Sequence, residues 1–324
     1  MKKNVALTLF AALSLSLSLI PASGQLPVSR PSGIILKTIK GSNGYTPIGL
    51  PFTREPVARA VVSSVAASVA TASGTPFAAA GTYTSTPHSV LVVTGANRGV
   101  VAAITANTTS SVTFANASTL VAADDELLVV PDWTLGNLFG TGSNPSGLTS
   151  NAAIGSADVV YVAAGGSLTQ YYHNGTNWRS SASPTNRNNL SLGGLNGGCM
   201  VLKRGAGDLT FQVKGTIRSG RSVVSISNGF SLVTYADVAG TTLLNSQLQT
   251  GVLTGNASSA LADIVYVPNA SGGLVQYYWT GTIWRNTSSP TNQGSLAVKP
   301  ETALLINKRS AGTSSWNINE SFTP

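Results

Sequence analysis

The chain has 324 residues, only 9% of them Asp, Glu, Lys or Arg, with a formal net charge of +8. Its basic residues are scattered without a run or stripe, which argues against a nucleic-acid-binding surface. A single cysteine, Cys199, excludes an intrachain disulfide, so stability rests on packing and the thiol is expected to be a buried apolar group.

Residues 1–24 read as a secretory leader of bacterial type. Lys2 and Lys3 precede a mainly apolar stretch from Val5 to Ile20, and Ala22-Ser23-Gly24 supplies small residues before Gln25. The stretch is short for a membrane span and no second one follows, so no transmembrane segment is expected after cleavage. The mature chain is expected to be secreted, to the periplasm, cell surface or extracellular space. With Lys2 and Lys3 removed from the formal +8, it carries +6. Abundant Gly, Ser, Thr, Asn and Ala suit an exported all-β protein better than a cytosolic enzyme.

Residues 25–125 form an N-terminal β region of short runs bounded by Gly, Pro, Asn and Asp: GIILKTIKG, AVVSSVAASVA, HSVLVVTG, VVAAITA and SVTFANA. Ser63 to Ala72 could be helical by its alanines, but alternating Val and Ser favours a strand. The stretch VLVVTGANRGVVAAI (90–104) has the look of a dinucleotide-binding turn, with Thr94, Gly95 and Gly99 in place. Close helix packing there needs glycine at position 101, where Val101 stands, and the following ITANTTSSVTF is β-branched and polar. No tyrosine has lysine four residues on, and no βαβ alternation follows. The stretch is therefore expected to be a β-hairpin turning at Ala96-Asn97-Arg98-Gly99.

Beyond residue 125 the chain echoes itself. ADVVYVAAGGSLTQYYHNGTNWRSSASPTN (157–186) matches ADIVYVPNASGGLVQYYWTGTIWRNTSSPTN (262–292), and MVLKRGAGDLTFQV (200–213) matches LINKRSAGTSSWNI (305–318). Two β units are expected, 126–220 and 221–324, as tandem sandwiches or barrel-like units. A weaker echo links SNGYTPIGLPF (42–52) with SNGFSLVTYAD (227–237). In each unit an x-Gly pair separates two aromatic runs. Asn174-Gly175 predicts a two-residue type I′ turn, with Tyr171 opposite Trp178 and Tyr277 opposite Trp284. Alternation then places Gln170, Tyr172 and Arg179 together on the other face, and Gln276, Tyr278 and Arg285 likewise.

Candidate chemistry is sparse. His88 and His173 are the only histidines, and Trp279 stands where the second unit would need His173. Asp158 and Asp263 occupy matching positions before strands, where turn capping explains them. Asp124, Asp125, Glu126 and Asp132 could ligate Ca²⁺, although a solvated turn is the simpler reading. No cofactor is expected, and neither a catalytic nor a metal-binding residue is assigned. The best ligand-binding candidates are Tyr172, Arg179, Tyr278 and Arg285, since aromatic faces flanked by polar groups can stack on sugars. Core packing is the competing role for the same aromatics.

Taken together, IGLPF (48–52), VVTGANRG, VVPDWTLGNLFG (129–140) and the Gln-Tyr-Tyr and Asn-Trp-Arg motifs resemble an uncharacterised family of secreted proteins from verrucomicrobial bacteria. That resemblance implies export and surface use, and no activity. The expected function is an exported, non-catalytic structural or adhesive protein of the cell surface or matrix, whose partners are polysaccharide or other surface proteins. A carbohydrate-binding module protein is the alternative, and a polysaccharide-active enzyme the third reading.

Overall fold

The short apolar runs alternate with period two, as strands require. The computed structural model, which describes residues 31–143, 145–218 and 220–319, is all-β. The expected leader lies outside the described residues, and among these no helix is long and apolar enough to cross a membrane.

The described chain opens with β1 (Ser32–Ile39), β2 (Gly44–Gly49) and β3 (Phe52–Thr53). Six strands follow: β4 (Ala58–Ala66), β5 (Val69–Ala72), β6 (His88–Val92), β7 (Val101–Asn107), β8 (Ser111–Phe114) and β9 (Glu126–Pro131). They close into a barrel in the order β4-β5-β8-β7-β6-β9, around Val62, Val90, Ile104, Phe114 and Leu127. Closure removes the exposed edges that an open sheet would carry. Ser63 to Ala72 is the β4–β5 hairpin, with Val62 and Ala70 inward, Ser63 and Ser64 in solvent, and Ala67 at φ 48° in the turn. VLVVTGANRGVVAAI runs from β6 through the loop 93–100 into β7, a hairpin whose connection is longer than the expected turn at Ala96-Asn97-Arg98-Gly99. Gly99 N–H donates to Val92 O at 2.9 Å, and Gly95 and Gly99 take φ values of 78° and 89°.

Next come β10 (Val159–Ala164), β11 (Ser167–His173), β12 (Trp178–Ser180), β13 (Gly198–Lys203) and β14 (Leu209–Ile217). The sheet they build has the order β12-β11-β10-β13-β2, and β14 pairs with β1 along all eight residues of β1. Residues 32–53, which composition grouped with a separate N-terminal region, thus supply strands to both sheets here. The barrel is inserted between strands that pair with one another, so chain order conceals the pairing.

The remaining strands are β15 (Arg221–Ile226), β16 (Gly229–Val233), β17 (Thr241–Thr242), β18 (Ile264–Pro268), β19 (Leu274–Trp279), β20 (Trp284–Asn286), β21 (Ala297–Val298), β22 (Leu304–Lys308) and β23 (Ser314–Asn319). Their main sheet has the order β16-β22-β18-β19-β20, while β15 pairs with β23. This is the strand order of the first sheet, with β16 in the place of β2. The weak echo SNGY/SNGF marks those two strands. Each main sheet faces a smaller one across a core: Trp178, Val160 and Val201 meet Ile39, Phe211 and Val213 in one sandwich. Trp284, Val265 and Ile306 meet Val224, Trp316 and Ile318 in the other.

The hairpin register departs from expectation. His173 stands opposite Trp178 and Trp279 opposite Trp284, while Tyr171 faces Ser180 and Tyr277 faces Asn286. A type I′ turn needs positive φ at two positions, but in 174–177 only Gly175 has it. Instead the Asn174 carboxamide accepts from the backbone N–H of Thr176 and Asn177, closing a four-residue loop. Thr280 Oγ1 accepts from Thr282 and Ile283 N–H in the same way. The face assignment is unaffected, because a two-residue shift preserves parity: Tyr172 pairs with Arg179 and Tyr278 with Arg285.

The two main sheets pack against each other by their second faces. Met200, Tyr45, Tyr161 and Leu168 from one side meet Leu305, Phe230, Tyr266 and Leu274 from the other. The backbone contacts are reciprocal. Tyr45 N–H donates to Gly272 O at 2.9 Å and Phe230 N–H to Gly166 O at 2.7 Å. Gly49 N–H donates to Glu301 O and Thr234 N–H to Asn196 O, both at 3.0 Å. At about 0.5–1.5 kcal/mol each, these four bonds give less than burial of Met200, Leu232 and Leu305 at roughly 1.5–3 kcal/mol per side chain. Packing supplies the energy and the hydrogen bonds set the register.

This contact is close enough that an added side chain would clash at several glycines, among them Gly49, Gly166 and Gly229. A Cβ on Gly166 (φ 77°) would lie 2.6 Å from Asn228 O, whereas one on Gly165 (φ 57°) would meet nothing within 4 Å. Both alanine variants carry the left-handed backbone cost of about 1–2 kcal/mol. Urea denaturation is expected to show Gly166→Ala less stable than Gly165→Ala; equal values would disprove the close approach.

Candidate functional site

The four residues singled out by the aromatic hairpins form two separate pairs, one on each main sheet. Tyr172 and Tyr278 are 7% and 8% exposed, and Tyr171 and Tyr277 on the opposite face are buried as well. The tyrosine rings of both hairpins are thus covered, while Trp279 is half-buried against the second core. The Arg179 guanidinium lies over the Tyr172 ring, 5.2 Å from its centroid, and donates to Ala152 O at 3.0 Å. Half-buried Arg285 stands across the strand from Tyr278, which packs with Ala262 and Ile264.

Asp158 and Asp263 are likewise engaged. Asp158 accepts from Thr149 N–H and Arg204 N–H at 2.8 and 2.7 Å. Asp263 accepts from Thr254 N–H and Arg309 N–H, both at 2.7 Å, and from the Ser310 N–H and hydroxyl. Each carboxylate ties the loop before a central strand to the Lys-Arg turn after β13 or β22, a longer reach than simple turn capping. Lys308 is buried, and its Nζ donates to the carbonyls of Ser310, Ala311 and Gly312. The echoed Lys-Arg motif is thus part of a loop clamp.

The acidic stretch at 124–132 splits apart. Asp125 accepts from Ala122 N–H, Glu126 pairs with Arg59, and buried Asp132 accepts from Ser89 Oγ and Ser191 Oγ at 2.7 Å each. No metal-ligating cluster occurs among the described residues. Asp132 follows β9 and joins the barrel to the loop carrying Ser191. Burial holds its carboxyl above the usual range against the lowering effect of both serines and of His88. His173 accepts from Gly175 N–H at Nδ1 and lies edge-on to Trp178, and burial lowers its pKa. Cys199 is buried as expected, with its thiol pushed up by desolvation.

Concave surface occurs instead beside the contact between the main sheets. One cleft of about 570 Å³ is lined by Gly193, Asn196, Ser225, Phe230 and Ser231, with Val100 and Val101 of the barrel at its rim. The barrel turn docks there, Val223 N–H donating to Gly99 O at 3.1 Å. A second cleft, of about 450 Å³, is lined by Lys299, Glu301, Lys40, Tyr45 and Thr46, with Lys37 on its wall. The reciprocal hydrogen bonds match Asn196 with Glu301 and Phe230 with Tyr45, so the two clefts are counterparts.

They differ in charge. Lys37 is held below the usual lysine range by burial and by neighbouring Lys299, against the opposing pull of Glu301. Its Nζ donates to Thr302 Oγ1. Lys40 pairs with Asp208 at 2.7 Å. Sequence reading missed this cleft because its residues come from segments some 260 positions apart, joined only by the sheet contact. Beside it, β1 is the end strand of its sheet and exposes Ile34 and Leu36.

The Asp132 shift has a definite sign. Its folded pKa lies above 3.8, so its stabilising contribution is complete below pH 3.8 and is lost as pH rises through the folded value. Asp132→Asn retains an acceptor for the serines and does not titrate. Thermal melts should show the variant gaining on the parent protein between pH 4 and pH 7; a constant difference would refute this assignment.

Comparison with protein-family models, with curated proteins and with solved structures finds no match for this chain.

Proposed function

We propose that this chain is an exported, non-catalytic structural or adhesive protein of the cell surface or extracellular matrix, made of two copies of one β-sandwich module with a barrel inserted in the first. The observation that carries this reading is the engagement of its polar machinery. Asp132, Asp158 and Asp263 each bind donors through both carboxylate oxygens, joining loops and elements of the fold. Of the hairpin aromatics, Tyr171, Trp178, Tyr277 and Trp284 are spent on cores.

A contact role has further support from β1. The corresponding edge of β15 is met by the barrel turn, whereas β1 ends its sheet with Ile34 and Leu36 at 62% and 66% exposure. Such an edge is a ready site for association. The leader-like segment 1–24 supports export.

Fractionation of the native cells tests the reading. The protein is expected in the envelope or extracellular fraction, shortened at its N-terminus, and without hydrolytic activity on a polysaccharide panel. Recovery only in the cytoplasm, or hydrolysis abolished by substituting an acidic residue, would overturn it.

A further inference from the structure

We propose that the lysine-bearing cleft beside β1 binds an acidic sugar, a carboxylate- or sulfate-bearing unit of an anionic glycan. The inference rests on the surface role above and names a ligand class for it. The argument is a comparison within the molecule, because the same cleft is built twice from corresponding strands.

In the neutral cleft, Val224, Ser227 and Asn196 hold the positions that Lys37, Lys40 and Glu301 hold in the other. The backbone frame is shared, as the paired bonds from Thr234 to Asn196 and from Gly49 to Glu301 show. Support of the sheet contact therefore requires neither of these lysines. Asp208 satisfies Lys40 from outside the cleft. That leaves Lys37 and Lys299 against Glu301, an excess of positive charge in a partly desolvated recess.

The neighbouring Lys299 charge opposes protonation of Lys37. A bound anion relieves that repulsion, and within a recess the attraction is less screened than on open surface. A cleft of about 450 Å³ exceeds what a bare inorganic ion fills and falls within the ordinary range for organic ligands. The half-buried Tyr45 ring and the Thr38 hydroxyl add the mixed apolar and hydroxyl lining that suits a sugar.

Calorimetric titration of the full chain with a galacturonate oligomer, a sulfated glucan oligomer, the neutral galactose oligomer and inorganic phosphate provides the test. One or both acidic oligomers should bind, and which one binds separates carboxylate from sulfate recognition. Lys299→Gln, at an exposed position, should weaken binding several-fold, and Lys37→Gln/Lys299→Gln at least about tenfold, with rising salt acting in the same direction. Lys214→Gln, on β14 away from the cleft, should change nothing. Binding of neither acidic oligomer, equal binding of the neutral one, equally tight binding of phosphate, or unchanged affinity in the folded Lys299→Gln variant would each overturn the proposal. Envelope localisation without glycan binding would refute the cleft and leave the surface role. Glycan binding by a cytoplasmic protein would do the reverse.

Discussion

Two glycine carbonyls hold the central contact of this molecule in register. Gly166 O accepts from Phe230 N–H, and Gly272 O accepts from Tyr45 N–H, each turn reaching across to a strand of the other main sheet. The backbone approach is close enough that no side chain fits at Gly166. Between these points the sheets bury Met200, Leu232, Ala303 and Leu305. Strands β13 and β22 consequently have both faces covered, which explains the unbroken apolar runs in CMVL and LLI. Everything outward of this contact is arranged around it: a smaller sheet on each outer side, a cleft on each flank, and the barrel turn against one of those flanks.

The same constraint accounts for where polar residues can be buried. Loops that join buried strands leave backbone N–H groups to be satisfied. Asp158 and Asp263 do this at matching places, one serving Thr149 and Arg204, the other Thr254 and Arg309. Each is a charge-assisted bond of the stronger kind. Asp132 performs a related task at the barrel junction, but there it meets hydroxyls in a drier setting, and burial dominates its protonation. Three carboxylates that could have suggested catalysis in the sequence are thus fully occupied.

The counterpart clefts show how a shared frame can diverge. Residues at the sheet contact are constrained to be small or apolar on both sides, as with Met200 and Leu305. Residues on the cleft walls diverge instead, one side carrying Val224 and Ser227 where the other carries Lys37 and Lys40. Charge appears where packing does not forbid it.

Much of this was legible locally. Val101 in place of glycine marked 90–104 as a hairpin, and the alternating aromatics placed Trp178 and Trp284 on core-facing sides of their strands. Both inferences depend on periodicity and turn chemistry, which neighbouring residues determine. The loop length was misjudged, because a carboxamide capping its own turn at Asn174 outcompeted the two-residue alternative. The pairing of β1 and β2 with strands about 150 residues or more later left only a faint trace, the SNGY/SNGF echo at β2. By itself, the sequence determined the strand content, the inward faces and the self-matching segments. Only the tertiary structure decided which strands pair across the inserted barrel, that Tyr172 and Tyr278 are buried, and that Lys37 meets Lys299. Those outcomes depend on contacts between distant segments, and residue spacing carries no record of them.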